Sequence, residues 1–305
     1  MAVRVLTDAD VARRVSMPAA IDAIEAALAR RAQGRFVTPP RHYVGNERGA
    51  LAFTIGGDAA DGVIGFRVYA MGFPGGSRDD QLVAVYDAAS GRLKGLVAGS
   101  WLGELRTGAI GGVAIKHAAR PDAATLALIG SGGQARTQLL AAAAVRELRD
   151  VRVYSRDAAR RLAFAEEMTE RAGVAVRPAA SPEEAVRDAD IVITATSSRA
   201  PVLDVALLRP GMHVSMLGAK QRDASELDPA VAGRATAIVT DSPAQLESPV
   251  PSFLAGTPDA GRVTDLASHV AGGPPVRASA DDITLFLSVG LSGTEVVVAD
   301  LALRE

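Results

Sequence analysis

The sequence has no cysteine, few aromatic residues and almost no net charge. Without cysteine, the 305-residue chain cannot form disulfides, use a thiolate nucleophile or bind zinc or iron–sulfur clusters through sulfur. Its 33 Lys and Arg residues nearly balance its 35 Asp and Glu residues, for a net charge of −2. Such a chain has no overall basic field to hold a polyanion, so we expect no nucleic acid partner.

Long apolar runs are also missing. The N-terminus lacks the apolar stretch of about 7 to 15 residues that a signal peptide carries, and no run approaches the roughly 18 residues that span a bilayer. We therefore expect a cytoplasmic protein without a membrane partner. The four histidines do not have the spacing of metal-binding motifs, so no metal site is expected.

The first third of the chain predicts one helix and several strands. Ser16 and Pro18 begin an amphipathic helix whose apolar face holds Ile21, Ile24 and Leu28. Strand-like runs follow at 51–55, 63–69, 82–86 and 93–97, and a helix from Trp101 to Ala119 leads to a break at Pro121.

After this break, strands and helices alternate. Strands are predicted at 125–129, 151–154, 174–177, 191–194, 213–217 and 237–239, with helices at 134–148, at 158–171 and after the capping residue Ser181. This alternation is typical of a doubly wound parallel sheet in an α/β protein. The Pro/Gly-rich segment from Gly256 to Pro275 is expected to be a long surface connection.

A glycine-rich turn lies between the first of these strands and its helix. Gly130-Ser131-Gly132-Gly133-Gln134-Ala135 fits the dinucleotide fingerprint G-x-G-x-x-A. The first glycine permits a tight turn, the second lets the backbone approach a pyrophosphate, and the helix N-terminus offers N–H groups. The alternative is an ordinary turn. The candidate cofactor-binding residues of this turn are Gly130, Gly132, Gly133, Gln134 and Ala135.

The end of the second strand bears on the choice of dinucleotide. An acidic residue there would favour NAD, whereas an arginine would pair with the 2′-phosphate of NADP. Ser155 stands where the acid is expected, and Arg156 follows it. This favours NADP(H). Because Arg156 could also be a solvated loop residue and Asp157 could serve as the acid, NAD(H) stays open.

Two arginines outside the turn are candidates for anion binding. Arg106 could clamp a substrate carboxylate, with Thr107 next to it touching the cofactor, or it could form a surface ion pair. Arg67 lies within an apolar strand. If its side chain is buried, it needs an ion-pair partner or an anionic ligand; the alternative is that it faces outward into solvent.

Several motifs together resemble the ornithine cyclodeaminase/mu-crystallin family. They are Leu105-Arg106-Thr107-Gly108-Ala109, the glycine turn, Leu217-Gly218-Ala219 with Glu226-Leu227-Asp228, and Thr284-Leu285-Phe286-Leu287-Ser288-Val289-Gly290. They occur in the family's order over nearly the whole chain.

The resemblance implies a homodimer with a Rossmann domain inserted into a discontinuous α/β domain for substrate binding and dimerisation. It places the NAD(P)-binding domain at 120–290 and the substrate domain at 1–119 plus 291–305, with the site in the cleft between them. By position, Arg41, Arg67 and Arg106 would hold an amino or imino acid substrate. The residues implied to line the cofactor are Thr107, Gly132, Gly133, Thr196, Leu217, Gly218, Ala219 and Val289.

The sequence departs from ornithine cyclodeaminases at three positions. Lys220 stands where those enzymes have an Asp, Arg67 replaces a substrate-binding Lys, and Leu287 replaces another Lys. An ammonium at Lys220 would repel the δ-ammonium of ornithine. A guanidinium titrates above about 12, so Arg67 would hold charge rather than transfer a proton.

These departures favour a reductase over a cyclodeaminase. We expect NAD(P)-dependent reduction of a small imino or oxo acid, of the ketimine reductase or amino acid dehydrogenase type, with Lys220 and Arg67 as the candidate catalytic residues. The alternatives are ornithine cyclodeaminase, which forms proline and ammonia, and a non-catalytic NADP(H)-dependent ligand-binding protein.

Overall fold

A computed structural model describes residues 3–77 and 79–304 of the chain. The helices are α1 (Asp8–Arg14), α2 (Met17–Ala32), α3 (Trp101–Ala118), α4 (Gly133–Val145), α5 (Ala158–Ala172), α6 (Pro182–Val186), α7 (Ala230–Arg234), α8 (Pro243–Leu246), α9 (Leu266–Val270) and α10 (Thr294–Arg304). The strands are β1 (Arg4–Leu6), β2 (Phe36–Val37), β3 (His42–Asn46), β4 (Gly49–Asp58), β5 (Val63–Met71), β6 (Gln81–Asp87), β7 (Leu93–Ala98), β8 (Thr125–Ile129), β9 (Asp150–Tyr154), β10 (Val176–Pro178), β11 (Ile191–Thr194), β12 (His213–Met216), β13 (Lys220–Gln221), β14 (Ala224–Ser225), β15 (Ala237–Thr240), β16 (Val263–Asp265) and β17 (Thr284–Leu287).

The chain forms two compact units. The first runs to Ala109 and resumes at Gly290, and the second extends from Ile110 to Val289. One junction therefore lies within α3 and the other just before α10. The sequence predicts a substrate domain at 1–119 plus 291–305 and an NAD(P)-binding domain at 120–290, and these domain boundaries stay a prediction.

The first unit is built on a mixed sheet with the order β1-β7-β6-β5-β4-β2, and β3 also pairs with β4. Strands β4 to β7 form an antiparallel meander, whereas β1 runs parallel to β7. The predicted helix after Ser16 is α2, where the Ser16 hydroxyl accepts the Ala19 N–H and Ile21, Ile24 and Leu28 are buried. Helix α10 packs against α2 and strands β4 to β7, and most of its residues are buried.

The second unit contains the doubly wound parallel sheet that the alternating pattern predicts. Its strand order is β10-β9-β8-β11-β12-β17-β15-β16, and every pair is parallel. The chain passes from β8 outward to β9 and β10, then returns to β11 on the other side of β8. This reversal creates a topological switch point beyond the carboxyl ends of β8 and β11, where open α/β sheets bind ligands.

One sequence expectation is wrong. The segment from Gly256 to Pro275 is not only a surface connection, because it contains β16, which pairs with β15 at the sheet edge, and α9. The strand has only three residues and its flanks are rich in glycine and proline, so a periodicity of two has too little length to be visible. Within the described ranges, no helix combines the length and the apolarity needed to cross a bilayer.

Candidate functional site

The glycine turn of the second unit joins the buried strand β8 to helix α4. Gly130 has φ +120°, and a Cβ there would lie 2.3 Å from the Ala195 carbonyl oxygen, so this position requires glycine. A Cβ on Gly132, in contrast, would have no atom within 4 Å. Gly132 is the N-cap of α4, and no side chain caps the helix. The N-terminus of α4 thus lacks a side-chain cap and has an exposed glycine at its N-cap position, as a pyrophosphate site requires.

The remaining residues of the fingerprint divide into two environments. Ala135 is fully buried and packs in the core with Leu139 and other apolar side chains. Gln134 is half-buried, and among the described residues its Oε1 has no hydrogen-bond partner. Gly133 is the first residue of α4. The backbone of Gly132 and Gly133 therefore provides the open face of the turn, while Ala135 serves packing.

The residues after β9 lie beside this turn. The Ser131 hydroxyl donates to the Ser155 hydroxyl at 3.0 Å, and Arg156 is exposed. Asp157 is the N-cap of α5, because its carboxylate accepts the Arg160 N–H at 3.0 Å. The carboxylate that could have bound a ribose thus caps a helix. Sequence reasoning missed Arg161, which donates to the Ser155 carbonyl at 2.5 Å.

A buried carboxylate joins the loops that follow β11 and β12. Glu226 Oε1 accepts the Thr196 N–H at 2.5 Å and the Thr196 hydroxyl, and Oε2 accepts the Gly218 N–H at 2.6 Å. Burial raises the pKa of Glu226, although these hydrogen bonds and the Lys220 ammonium oppose the shift. Two residues implied to line the cofactor, Thr196 and Gly218, are therefore brought together by a third residue to which the sequence assigned no role.

Lys220 lies close to the same loop. Its ammonium donates to the carbonyls of Leu217 at 3.0 Å and Gly218 at 2.6 Å. Val289 is further along the sheet edge, where its N–H donates to Asp241 at 2.7 Å and its carbonyl accepts from Gln245 at 2.6 Å. The roles of Lys220 and Val289 at a cofactor stay predictions.

The first unit brings the three predicted substrate-binding arginines together around one carboxylate. Arg67 Nη1 and Arg106 Nη2 lie 3.1 Å and 3.0 Å from Oε1 of Glu295, and Arg41 Nη2 donates to the Gly290 carbonyl at 2.8 Å. Arg67 is 8% exposed and Arg106 is 4% exposed. The buried position of Arg67 excludes the outward-facing alternative for this strand residue.

Glycines allow this close approach. A Cβ at Gly103 would lie 2.5 Å from Arg67 Nη2, and one at Gly290 would lie 2.9 Å from both Arg41 Nη2 and Arg106 Nη1. Thr107, which follows Arg106 in α3, donates its hydroxyl to the Gly103 carbonyl at 2.8 Å. The predicted cofactor contact of Thr107 stays a prediction.

The charges of this arginine cluster are unbalanced. The guanidinium groups of Arg67 and Arg106 share one buried carboxylate. Burial lowers the pKa of Arg106 to about 10, with Glu295 opposing the shift and Arg67 and Arg41 adding to it. Burial by itself would raise the pKa of Glu295, but the arginines outweigh it and lower that pKa. Nε and Nη1 of Arg106 have no acceptor within the described parts of the chain. An anionic ligand would supply both the charge and the acceptors.

A cavity of about 360 Å³ adjoins Arg67. Tyr69, Met71, Phe73 and Gln81 contribute to its lining. The Arg67 guanidinium lies over the Tyr69 ring at 4.4 Å from the centroid, and its Nε donates to the Gln81 side chain at 3.1 Å. The Tyr69 ring and the Gln81 side chain thus fix the Arg67 guanidinium beside a cavity that has both polar and apolar lining residues.

Glu295 and Glu226 are the functional candidates that sequence reasoning missed. Glu295 carried a signal, since it is an acidic residue directly before the apolar run Val296–Ala299. Glu226 belongs to a motif quoted for the family resemblance but has no local pattern that assigns it a partner. In the part of the chain that the structure covers, no group of His, Asp and Glu side chains could hold a metal ion.

Comparisons with known proteins agree with these features. A sequence model of the ornithine cyclodeaminase/mu-crystallin family matches residues 1–303. The solved structure of Thermococcus litoralis Delta(1)-pyrroline-2-carboxylate reductase in complex with NADH and L-proline superposes with a TM-score of 0.90 at 30% identity, covering 98% of this chain and 96% of that one.

Two curated relatives carry reductase names. The iminosuccinate reductase of Paracoccus denitrificans is 30% identical over an alignment of 317 positions, gaps included, that covers 99% of this chain and 94% of that enzyme. A Delta(1)-pyrroline-2-carboxylate reductase of Bacillus cereus is 33% identical over 225 residues, 72% of this chain. The alignment with the Bacillus cereus enzyme spans 68% of its length, and the alignment with another curated relative, from Rhizobium meliloti, spans 64%.

Proposed function

The chain belongs to the ornithine cyclodeaminase/mu-crystallin family, and on that basis we propose that it is an NAD(P)H-dependent oxidoreductase that reduces a small 2-imino or 2-oxo acid. The observation that carries this proposal is the arginine cluster of Arg41, Arg67, Arg106 and Glu295. It has an excess of cationic charge and unsatisfied donors on Arg106, which suit a substrate carboxylate. The relatives named for imine reduction support this class of substrate.

The second unit suits a nicotinamide dinucleotide. The uncapped N-terminus of α4 and the open space at Gly132 would receive the pyrophosphate. Ser155 and Arg156 would receive the ribose end, and Thr196 and the segment Leu217–Ala219 would line the other end. When bound, a reduced nicotinamide supplies the hydride that adds to the carbon of the C=N or C=O bond.

The cofactor we propose is NADP(H). Asp157 caps α5, so its carboxylate already has the Arg160 N–H as a partner. No acidic side chain other than Asp157 occurs in the sequence from Tyr154 to Arg161, and that stretch contains three arginines, which suit a phosphate at the ribose 2′ position.

The substrate roles follow from charge. Arg106 and Arg67 would hold the carboxylate, with Arg41 beside them, and this would orient the imine carbon for reduction. Arg67 acts in this proposal as a fixed charge, and Lys220 is the proposed catalytic cation of the second unit. An ammonium can donate a proton to a developing amine, which a guanidinium near neutral pH does not do.

We also propose that the protein forms homodimers. Several large apolar side chains on the strands of the first unit are exposed, including Val37 at 62%, Val44 at 67% and Ile64 at 45%, and a partner subunit could cover them. Sedimentation of the purified protein measures the assembly directly, and a monomer at micromolar concentration would contradict this part of the proposal.

Cofactor oxidation tests the proposed activity. We expect the purified protein to oxidise NADPH in the presence of Δ1-pyrroline-2-carboxylate, or of a 2-oxo acid with ammonia. Arg106→Ala should abolish turnover and leave the folded protein intact by circular dichroism. If no imine or oxo acid is reduced, the proposal is wrong. Proline formation from ornithine would identify a cyclodeaminase, and tight NADPH binding without turnover would identify a ligand-binding protein.

A further inference from the structure

Glu226 is a buried carboxylate that none of the steps above uses. Its exposed fraction is 0%, and it directly follows β14, the second strand of the hairpin formed with β13. A buried carboxylate is costly unless hydrogen bonds compensate it. The three donors already described, two from Thr196 and one from Gly218, provide this compensation.

The positions of these donors are matched across two strands. In the sheet, Thr194 of β11 pairs with Met216 of β12. Thr196 and Gly218 each lie two residues beyond that pair, so the carboxylate bridges corresponding points of the two loops. These loops lie at the carboxyl edge of the parallel sheet, and β11 borders the switch point.

The fit around the carboxylate is tight. A Cβ on Gly218 would lie 2.2 Å from Glu226 Oε2, so only glycine fits beneath the acid. The backbone of Glu226 is held as well, because its N–H donates to the Ala219 carbonyl at 2.9 Å and its carbonyl accepts the Val202 N–H at 2.8 Å. The side chain therefore projects from a backbone that cannot shift freely.

The hairpin holds the segment Leu217–Ala219 from both sides. Glu226 takes the N–H of Gly218, whereas the Lys220 ammonium takes the carbonyls of Leu217 and Gly218. A carboxylate has only acceptors, which suits the three donors. A glutamine in its place would direct an NH₂ donor at one of the N–H groups and leave that group unsatisfied.

We propose that Glu226 is a positioning residue that acts through Thr196 and Gly218 to shape the cofactor-binding edge of the second unit. This inference rests on the proposed nicotinamide site, but not on the identity of the substrate. Glu226 itself need not touch the cofactor, since it fixes the loops that do.

The test is a binding titration of NADPH without substrate, which gives both the dissociation constant and the number of sites. We expect Glu226→Gln to raise the Kd for NADPH at least tenfold while the folded protein keeps its full number of sites. A merely structural role would lower the melting temperature or the number of sites without changing the Kd of the sites that remain.

A matched control comes from the same hairpin. Asp223→Asn also removes one negative charge, but the Asp223 side chain is 77% exposed and lies 3.6 Å from Arg199. We expect this variant to bind NADPH as the wild type does. If Asp223→Asn weakened binding as much as Glu226→Gln, the effect would come from net charge and the proposal would be wrong.

A second variant keeps the proposal testable if Glu226→Gln does not fold. Thr196→Val keeps the Thr196 N–H but removes the hydroxyl, which donates to Glu226 and accepts the Ser198 N–H, and should itself weaken NADPH binding. Where Glu226→Gln does fold, the two effects should be less than additive in the double variant, because both break the same contact. Wild-type affinity with full sites in Glu226→Gln, or in Thr196→Val where Glu226→Gln does not fold, would overturn the proposal.

The binding titration also separates this inference from the proposed function. A wild-type protein that binds NADPH but reduces no imino or oxo acid would refute the proposed function, and a raised Kd in Glu226→Gln would still support the positioning role. If the wild-type protein reduces an imine but Glu226→Gln has an unchanged Kd for NADPH, the proposed function is supported and the positioning role is refuted.

Discussion

Replacing Glu295 by glutamine removes the one carboxylate of the arginine cluster and leaves its shape nearly unchanged. Glu295 is fully buried, and its Oε1 lies about equally close to Arg67 and Arg106. In the variant, Arg67 and Arg106 would lose the counter-charge that they share. Removing one partner of a buried ion pair costs about 3–5 kcal/mol, so we expect Glu295→Gln to lose about that much free energy of unfolding.

An added anion should restore part of this loss. A carboxylate that binds the folded protein at a hundred times its dissociation constant stabilises it by about 2.7 kcal/mol. The variant cluster has one more uncompensated positive charge than the wild type, so acetate or sulfate should stabilise Glu295→Gln more than the wild type.

Urea unfolding at pH 7 measures these free energies. Glu47→Gln is the control, because Glu47 is exposed between β3 and β4 and should change stability by less than about 0.5 kcal/mol. The double variant Arg67→Met/Glu295→Gln should be more stable than the sum of the single effects predicts, by about 0.5–3 kcal/mol, because it removes a charge together with its partner.

The pH dependence has a defined sign. The pKa of Glu295 is lowered in the folded protein, so the stability contributed by its charge is present above the ordinary value of 4.5 and is lost as the pH falls through the lowered pKa. The reasoning is refuted if Glu295→Gln costs less than about 1 kcal/mol, if the double variant is additive, or if anions stabilise both proteins equally.

Three further predictions concern the second unit. Burial, together with the charges of Arg277 and Arg146, lowers the pKa of His213 from 6.5 to about 3. Between these two pH values the folded state therefore binds fewer protons than the unfolded state. The free energy of unfolding should fall as the pH drops through this range, by at most about 1.4 kcal/mol per pH unit. Urea unfolding across this range should show a flatter profile for His213→Gln, and equal slopes would contradict the assignment. Gly132→Ala should keep the melting temperature but weaken NADPH binding at least tenfold, whereas Gly130→Ala should lower the melting temperature, because only at Gly130 would a Cβ meet backbone. Arg156→Ala should lower the ratio of NADPH to NADH affinity about tenfold, and an unchanged ratio in binding titrations would exclude Arg156 from the 2′-phosphate site.

Local sequence patterns were sufficient to predict many of the strands and helices. The buried strands β8 and β11 are continuous apolar runs, and the capped helices α2 and α6 begin at Ser16 and Ser181 as predicted. The edge strand β16 was missed because three residues among glycines and prolines show no periodicity. Its strand character comes from pairing with β15, which is a contact and not a local preference.

In the candidate site too, some residues could be predicted from the sequence and others were found only in the structure. The glycine turn could be predicted from the sequence because its motif lies within six consecutive residues. The structure then distinguishes its glycines: Gly130 has a positive φ, whereas Gly132 has free space at the Cβ position. Arg67 and Arg106 were candidates from their sequence context, and the family resemblance added Arg41 and assigned all three to the substrate. Their partner Glu295 is 228 residues from Arg67 along the chain, and Glu226 is 30 residues from Thr196, so no local motif connects either pair.

The sequence by itself determined the class of protein, the alternation of strands and helices, the position of the glycine-rich turn and the absence of cysteine chemistry. These properties depend on composition and on neighbours within a few residues. Only the tertiary structure decided that Arg67 is buried, that Asp157 caps a helix, and that Glu295 and Glu226 hold the residues around them. The physical reason is that burial and charge pairing are properties of contacts between distant segments, which exist only once the chain has folded.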